Sequence, residues 1–277
     1  MKVLDLFSGI GGFSLGLERA GMETVAFCEF EPHAQEILRK HWPDVPIHSD
    51  VRELNGEDYR GTVDVVTGGF PCQDLSTAGK QAGFSGERSS LYREMLRIIS
   101  QCRPRYAIFE NVTGLLTGDS GRWFGQFLYD LDEIGFDAEW HCISASYIGA
   151  PHHRDRVWII AYPKSRHDRS CNQESIERQE QEFGKGFSRN AMASHSNSKL
   201  QQGSSSQQVG YAQLSQQLGR EIKKVRIMPY PTESPFRRAD DGIPTRLDRP
   251  RLARLGNAVV PQIPEIIGRA IMEVESE

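Results

Sequence analysis

The sequence lacks several features that define whole classes of protein. No run approaches the ~18 consecutive apolar residues that a membrane-spanning helix needs. The N-terminus has no basic segment followed by a long apolar stretch, so no signal peptide is predicted. The five cysteines are odd in number, widely spaced and without a CxxC pair, which argues against a disulfide framework and a zinc site. We therefore expect a cytoplasmic protein without a membrane anchor or bound metal.

The net charge is also small, since the 277 residues sum to −4. The distribution is uneven, however. Residues 163–256 carry 17 Lys+Arg and 10 Asp+Glu, a net of +7, whereas the remainder carries 16 and 27, a net of −11. A basic segment on an acidic body is compatible with a polyanionic partner held at one face. The alternative is ordinary variation in composition.

The basic segment is poor in apolar residues. Residues 164–222 contain 10 Gln and 11 Ser but only 14 residues from the set AVILMFWYC, and residues 201–208 are nearly low-complexity. Such a segment buries little apolar surface by itself. We therefore expect a catalytic-size domain over residues 1–162, a short basic region over 163–250, and a C-terminal segment with a helix over 251–277 that completes the domain.

Strand and helix patterns alternate along residues 1–162. The strands are predicted at Lys2–Leu6, Thr24–Cys28, Val63–Thr67, Tyr106–Phe109, Ala138–Ile143 and Val157–Ala161. Helical patterns separate most of them, and a further helical face recurs from Ile263 to Val274. This alternation predicts an α/β fold built from parallel βαβ units.

The last two predicted strands are joined differently. Only about 13 residues, from Ser144 to Arg156, separate them, and no helical pattern occurs there. Because a parallel crossover needs a helix, the final strand should run antiparallel on an otherwise parallel sheet. That combination is typical of the methyltransferase variant of the Rossmann-like fold.

A glycine-rich turn, FSGIGG at residues 7–12, follows the first strand. Glycines allow the backbone to approach a ligand closely. Glu29 ends the second strand 20 residues after Gly9, where a carboxylate can accept both hydroxyls of a ribose. Asp50 could accept from an adenine amino group. The pattern favours a nucleoside cofactor, and the alternative is a structural turn with surface acids.

Three further motifs should meet at one crevice. GGFPCQ at residues 68–73 places Cys72 after a strand, ENV at 110–112 places Glu110 after the next, and HHRDR at 152–156 places Arg154 and Arg156 on one side of an extended chain. A lone cysteine is more often an inert buried thiol. In this loop we favour a nucleophile, which requires a thiolate.

These blocks, in this order and followed by GNAVVPQ at residues 256–262, resemble the cytosine-5 DNA methyltransferases. The resemblance covers about residues 1–162 and 250–277. It implies S-adenosylmethionine as the cofactor, with Cys72 attacking C6 of cytosine and Glu110 holding the ring N3 and the exocyclic amine. By the same resemblance, Arg156 contacts the base carbonyl and Arg154 organises the loop and phosphate contacts. It also implies a cofactor pocket lined by Phe7, Gly9, Gly11, Glu29, Phe30, Asp50, Val51, Pro71, Asn257 and Val259.

The resemblance further implies double-stranded DNA as the partner and a cytosine that is flipped out of the helix. We expect a monomer from a bacterium or phage, with a cognate restriction endonuclease as a possible companion. The region that reads DNA sequence in this family corresponds to about residues 163–245, which here are short and rich in Ser and Gln. Two alternatives therefore stay open: a catalytically weak DNA-binding homologue, and an RNA cytosine-5 methyltransferase.

Overall fold

The structure is a computed structural model of the chain. It describes residues 1–71, 91–150, 154–164, 214, 216–221 and 258–276. Residues 1–163 and 214–277 belong to one compact unit. Cys72, Asn257, residues 73–90 and nearly all of the basic region lie outside the described residues, as does the predicted boundary at residue 250.

Seven described strands form one sheet in the order β3-β2-β1-β4-β5-β7-β6. Their bounds are β1 Lys2–Leu6, β2 Glu23–Cys28, β3 Ile47–His48, β4 Val65–Gly68, β5 Tyr106–Val112, β6 Phe136–Ser144 and β7 Asp155–Pro163. The six predicted strands are all present. The two-residue strand β3 was not predicted.

Helices cover the sheet where the apolar periodicity predicts them. The labelled helices are α1 Gly12–Arg19, α2 Pro32–His41, α3 Leu91–Cys102, α4 Gly114–Thr117, α5 Arg122–Glu133 and α6 Gln262–Val274. Residues 216–221 are also helical. In the described part of the chain, no helix is long and apolar enough to cross a membrane.

The predicted reversal of the last strand is confirmed. Strands β1 to β5 pair in parallel, whereas β7 runs antiparallel to both β5 and β6. Within the described residues 145–150 of the link before β7, the chain forms a 3-10 turn at Ala145–Ile148, which is too short to return it to the opposite end of the sheet. The fold is thus a mostly parallel α/β sheet of the Rossmann-like methyltransferase type.

Alternate residues of the central strands enter two separate cores. Leu4 and Val66 pack with α3 and α5 on one face of the sheet, whereas Val3 and Val65 pack with α1 and α6 on the other. Both faces of β1 and β4 are therefore covered, as expected for parallel strands. Only the ends of these strands are left to form a ligand site.

The C-terminal helix α6 packs closely on α1. A Cβ atom at Gly268 would lie 2.8 Å from the Cβ of Ala20, and one at Gly16 would collide with the carbonyl oxygen of Pro261. Glycine at these two positions permits the helices to approach. The approach also brings the segment just before α6 beside the glycine-rich turn.

Candidate active site

A cavity of about 1140 Å³ opens at the carboxyl ends of the central parallel strands. This is where α/β folds of this type bind ligands. The predicted site residues that line it are Phe7, Gly9, Glu29, Phe30, Asp50, Val51, Pro71, Glu110, Arg154, Arg156 and Val259. The structure therefore brings together residues from the N-terminal motif, the ENV and HHRDR motifs and the C-terminal block.

The glycine-rich turn forms one wall of this cavity. The backbone turns left-handed at Phe7, Gly9 and Gly11, with φ of 52°, 55° and 85°. This conformation is easy for glycine but costs an aromatic residue such as Phe7 about 1–2 kcal/mol. The strained backbone of Phe7 therefore occurs at a residue that lines the cavity.

Gly11 does not line the cavity, but it belongs to the glycine-rich turn that forms the cavity wall. It is the N-cap of α1, and a Cβ atom there would lie 2.6 Å from the Trp42 ring. A Cβ atom at the neighbouring Gly12 would lie 2.5 Å from the carbonyl oxygen of Val259. These close approaches explain the consecutive glycines and bring Val259 to the cavity.

The Glu29 carboxylate is oriented by two backbone groups. The amide N–H of Gly9 donates to Oε2 at 2.7 Å, and that of Glu31 donates to Oε1 at 2.8 Å. Gln35 holds the strand end by donating to the carbonyl oxygen of Glu29 at 2.6 Å. Each carboxylate oxygen keeps a second acceptor position, so Glu29 can still receive a diol.

Asp50 and Phe30 lie farther along the same cavity. Arg52 donates to Asp50 through its backbone N–H at 3.0 Å and through its guanidinium, with Nη2 at 2.6 Å from Oδ2. These bonds lower the pKa of Asp50 and keep its carboxylate ionised. Phe30 is 73% exposed, so its ring is free to cover a flat ligand. The arrangement suits the base of a nucleoside.

Asp5 lies buried beneath the glycine-rich turn. Its carboxylate accepts from the hydroxyl of Ser14 at 2.7 Å and from that of Thr67 at 2.9 Å, which ties β1 to α1 and β4. Complete burial raises its pKa from 3.8 to about 7. Its role is to hold the turn, since it does not line the cavity.

Glu110 lies at the end of β5 between two arginines. Its Oε1 is 3.0 Å from Nε of Arg156 and 3.9 Å from Nη2 of Arg154. Val112 of β5 pairs with Arg156 of β7. The start of the antiparallel strand therefore lies beside Glu110, and both Arg156 and the preceding Arg154 can reach its carboxylate. Burial raises the pKa of Glu110, and the two arginines oppose this rise without cancelling it. The net increase in pKa favours the protonated acid relative to an exposed glutamate.

Several residues in the cavity wall were not predicted from the sequence. Asn111 and Ser8 belong to the ENV and FSG motifs, which offered a signal, and Arg52 follows Asp50 by two residues. Ala258 belongs to the GNAVVPQ block, whereas Leu91 also lines the cavity but lies in none of the motifs. The predicted residues Cys72 and Asn257 lie outside the described part of the chain.

The chain is thus an α/β protein with a cavity at the carboxyl ends of its strands, beside the buried acid Glu110. A sequence model of the family described as C-5 cytosine-specific DNA methylase matches residues 1–234. The chain belongs to this family, which confirms the resemblance inferred from the motifs.

Individual relatives match more than half of the chain. The Type II methyltransferase M.NgoFVII of Neisseria gonorrhoeae is 38% identical over 160 residues, which are 57% of this chain and 43% of that protein. The Type II methyltransferase M.Eco47II of Escherichia coli is 39% identical over 161 residues, 57% of this chain and 39% of that protein. The matched part thus spans about two fifths of the length of these relatives.

A solved structure shares the fold. It is a prophage-encoded protein of E. coli assigned as a DNA modification methyltransferase, with 30% identity and a TM-score of 0.50. The match covers 59% of this chain and 47% of that one.

Proposed function

We propose that this chain transfers a methyl group from S-adenosylmethionine to C5 of a cytosine in double-stranded DNA. The observation that carries the proposal is the pairing of Glu110 with Arg154 and Arg156 in the same cavity as Glu29 and Asp50. One end of this cavity has acceptors for a nucleoside cofactor. The other has a buried acid with two cations, which suits a pyrimidine with a carbonyl and a ring nitrogen.

The residues present fit S-adenosylmethionine. The free acceptor positions of Glu29 suit the ribose hydroxyls, Asp50 suits the adenine amine, and Phe30 offers an aromatic face. Phe7, Gly9, Val51, Pro71 and Val259 line the same cavity. By resemblance Asn257 completes the pocket, while Gly11 supports the glycine-rich turn beside it. When bound, this cofactor supplies an electrophilic methyl group on a sulfonium.

The base needs activation because C5 of cytosine is a poor nucleophile. We propose that the Cys72 thiolate adds to C6, which makes C5 enamine-like. Glu110 in its acid form donates to N3 and stabilises the charge that addition creates. C5 would then accept the methyl group, which leaves the cofactor as a neutral thioether. Water accepts the C5 proton, the thiolate leaves C6, and N3 returns its proton to Glu110, which restores the ring. The raised pKa of Glu110 supports this role.

Attack at C6 comes from above the ring plane, so the cytosine must leave the base stack. We propose that residues 1–162 and 251–277 form the catalytic domain and that the basic residues 163–250 contact the target DNA. We further propose that the protein acts as a monomer in the cytoplasm, alongside a cognate restriction endonuclease. These assignments rest on the charge distribution and on the family.

The test is bisulfite sequencing of DNA from cells that express the chain, compared with cells that express the Cys72→Ser variant. We expect methylated cytosines at a fixed sequence with the wild type alone, because a serine hydroxyl is a far weaker nucleophile than a thiolate. Purified wild type should also form a covalent adduct with DNA containing 5-fluorocytosine, since fluorine cannot leave as a proton does. Methylation by the serine variant, or of RNA alone, would refute the proposal.

A further inference from the structure

We propose that Asn111 is a positioning residue for the nucleophile loop, which we define as residues 69–72. Its buried amide holds the main-chain carbonyl of Phe70, two residues before Cys72. The inference rests on the proposed function of Cys72. It assigns to the middle residue of the ENV motif a task distinct from that of Glu110.

The amide of Asn111 has one permitted orientation. Its Oδ1 accepts from the backbone N–H of Val112 at 2.9 Å, and its Nδ2 donates to the carbonyl oxygen of Phe70 at 3.2 Å. A flipped amide would face Val112 with a donor and Phe70 with an acceptor, and both bonds would be lost. Asn111 is only 2% exposed, so water does not replace them freely.

The hydrogen bond from Asn111 to Phe70 lies just beyond the end of the pairing between β4 and β5. The parallel pairing of β4 with β5 ends at Gly68 and Phe109, so no ladder hydrogen bond reaches Phe70. The side chain of Asn111, two residues beyond Phe109, takes over this task. It therefore extends the connection between the two strands up to the residue before Pro71.

The ring of Phe70 is fixed as well. It packs at 5.6 Å from the Phe127 ring and 6.0 Å from the Tyr92 ring, and Tyr92 is itself held by a 2.6 Å bond from its hydroxyl to Asp130. Pro71 restricts the backbone of Phe70 further. With ring and carbonyl both held, Phe70 is fixed in place two residues before Cys72.

The loop also lies close to the acid. A Cβ atom at Gly69 would be 3.3 Å from Oε2 of Glu110, so there is little space between loop and carboxylate. A loop released from Asn111 would shift relative to Glu110. The thiolate and the acid must act on one pyrimidine ring, and misplacement by about 1 Å can cost a hundredfold in rate.

Two nearly isosteric variants separate a donated hydrogen bond from simple packing. Asn111→Leu keeps the volume but loses both bonds. Asn111→Asp keeps the acceptor for Val112, and it can donate to the Phe70 carbonyl only when its carboxyl is protonated. We expect the aspartate variant to recover relative to wild type as the pH falls, and the leucine variant to stay low at every pH.

The measurement is the rate of covalent adduct formation with 5-fluorocytosine DNA between pH 6 and pH 8.5, given as the ratio of variant to wild type at each pH. The ratio removes the pH dependence contributed by Cys72 and Glu110, and the charges of Arg154 and Arg156 are shared by all the proteins compared. We expect both variants to be at least tenfold slower at pH 8.5, with S-adenosylmethionine binding by calorimetry within about threefold of wild type. That binding also reports that each variant is folded.

The outcomes are distinguishable. If the wild type forms no adduct, the proposed function of Cys72 fails. If the wild type forms the adduct and the aspartate variant matches it at pH 8.5, or shows a ratio independent of pH, the positioning role of Asn111 is overturned. Should the leucine variant not fold, the pH profile of the aspartate variant still decides.

Discussion

Replacing Glu29 tests the cofactor end of the cavity most directly. Its two carboxylate oxygens accept the backbone N–H groups of Gly9 and Glu31 at 2.7 and 2.8 Å, so the side chain is already oriented before a ligand arrives. We expect Glu29→Ala to remove the ribose acceptor and to release the glycine-rich turn. Charge-assisted hydrogen bonds contribute about 1.5–3 kcal/mol. S-adenosylmethionine should then bind about 10-fold to 150-fold more weakly.

Glu29→Gln gives a sharper comparison, although it is usually considered conservative. Both carboxylate oxygens face backbone donors, so either orientation of the new amide points its NH2 group at an N–H of Gly9 or Glu31. One backbone donor is then unsatisfied, which costs about 1–3 kcal/mol. We therefore expect the glutamine variant to lose at least tenfold in affinity.

Isothermal titration calorimetry of S-adenosylmethionine binding measures these effects. The matched control is Glu36→Ala, because Glu36 is also acidic, lies on the helix after Glu29 and has a side chain that is 68% exposed. We expect the control to bind as the wild type does. A dissociation constant that is unchanged in Glu29→Ala would remove Glu29 from the site.

Three further predictions concern other parts of the chain. Burial raises the pKa of Asp5 in the folded chain to about 7, against 3.8 ordinarily. Between these two values the folded chain binds more protons than the unfolded chain, so the free energy of unfolding falls as the pH rises toward 7. We expect urea unfolding to lose ~3 kcal/mol between about pH 5 and pH 8, and Asp5→Asn to abolish that dependence; an equal dependence in the variant would contradict this. Glu110→Gln should slow methyl transfer about a hundredfold or more without weakening cofactor binding, because an amide cannot supply a proton; turnover at the wild-type rate would exclude Glu110 as the acid. Arg237→Ala with Arg238→Ala should reduce the slope of log affinity for DNA against log salt concentration by up to about two, whereas deletion of the uncharged residues 201–208 should leave that slope unchanged; the reverse result in a salt series would place the DNA contacts elsewhere.

Much of the fold could be predicted from local patterns. Strand β1 has the predicted bounds, Lys2–Leu6, and helix α6 covers the predicted helical face from Ile263 to Val274. The reversal of β7 followed from the short link before it, because a parallel crossover cannot be made without a helix. Strand β3 was missed since its two residues, Ile47 and His48, are too few to carry a periodicity.

Local sequence patterns indicated which residues are candidates for the chemistry, because the type and spacing of Glu29, Glu110 and Arg156 are properties of strand ends and turns. How these side chains meet depends on the fold. The contact of Glu110 with Arg156 depends on the register between β5 and β7, and the bond from Asn111 to Phe70 joins residues 41 positions apart. Such contacts are fixed when both faces of the sheet are packed, and no short stretch of sequence encodes them.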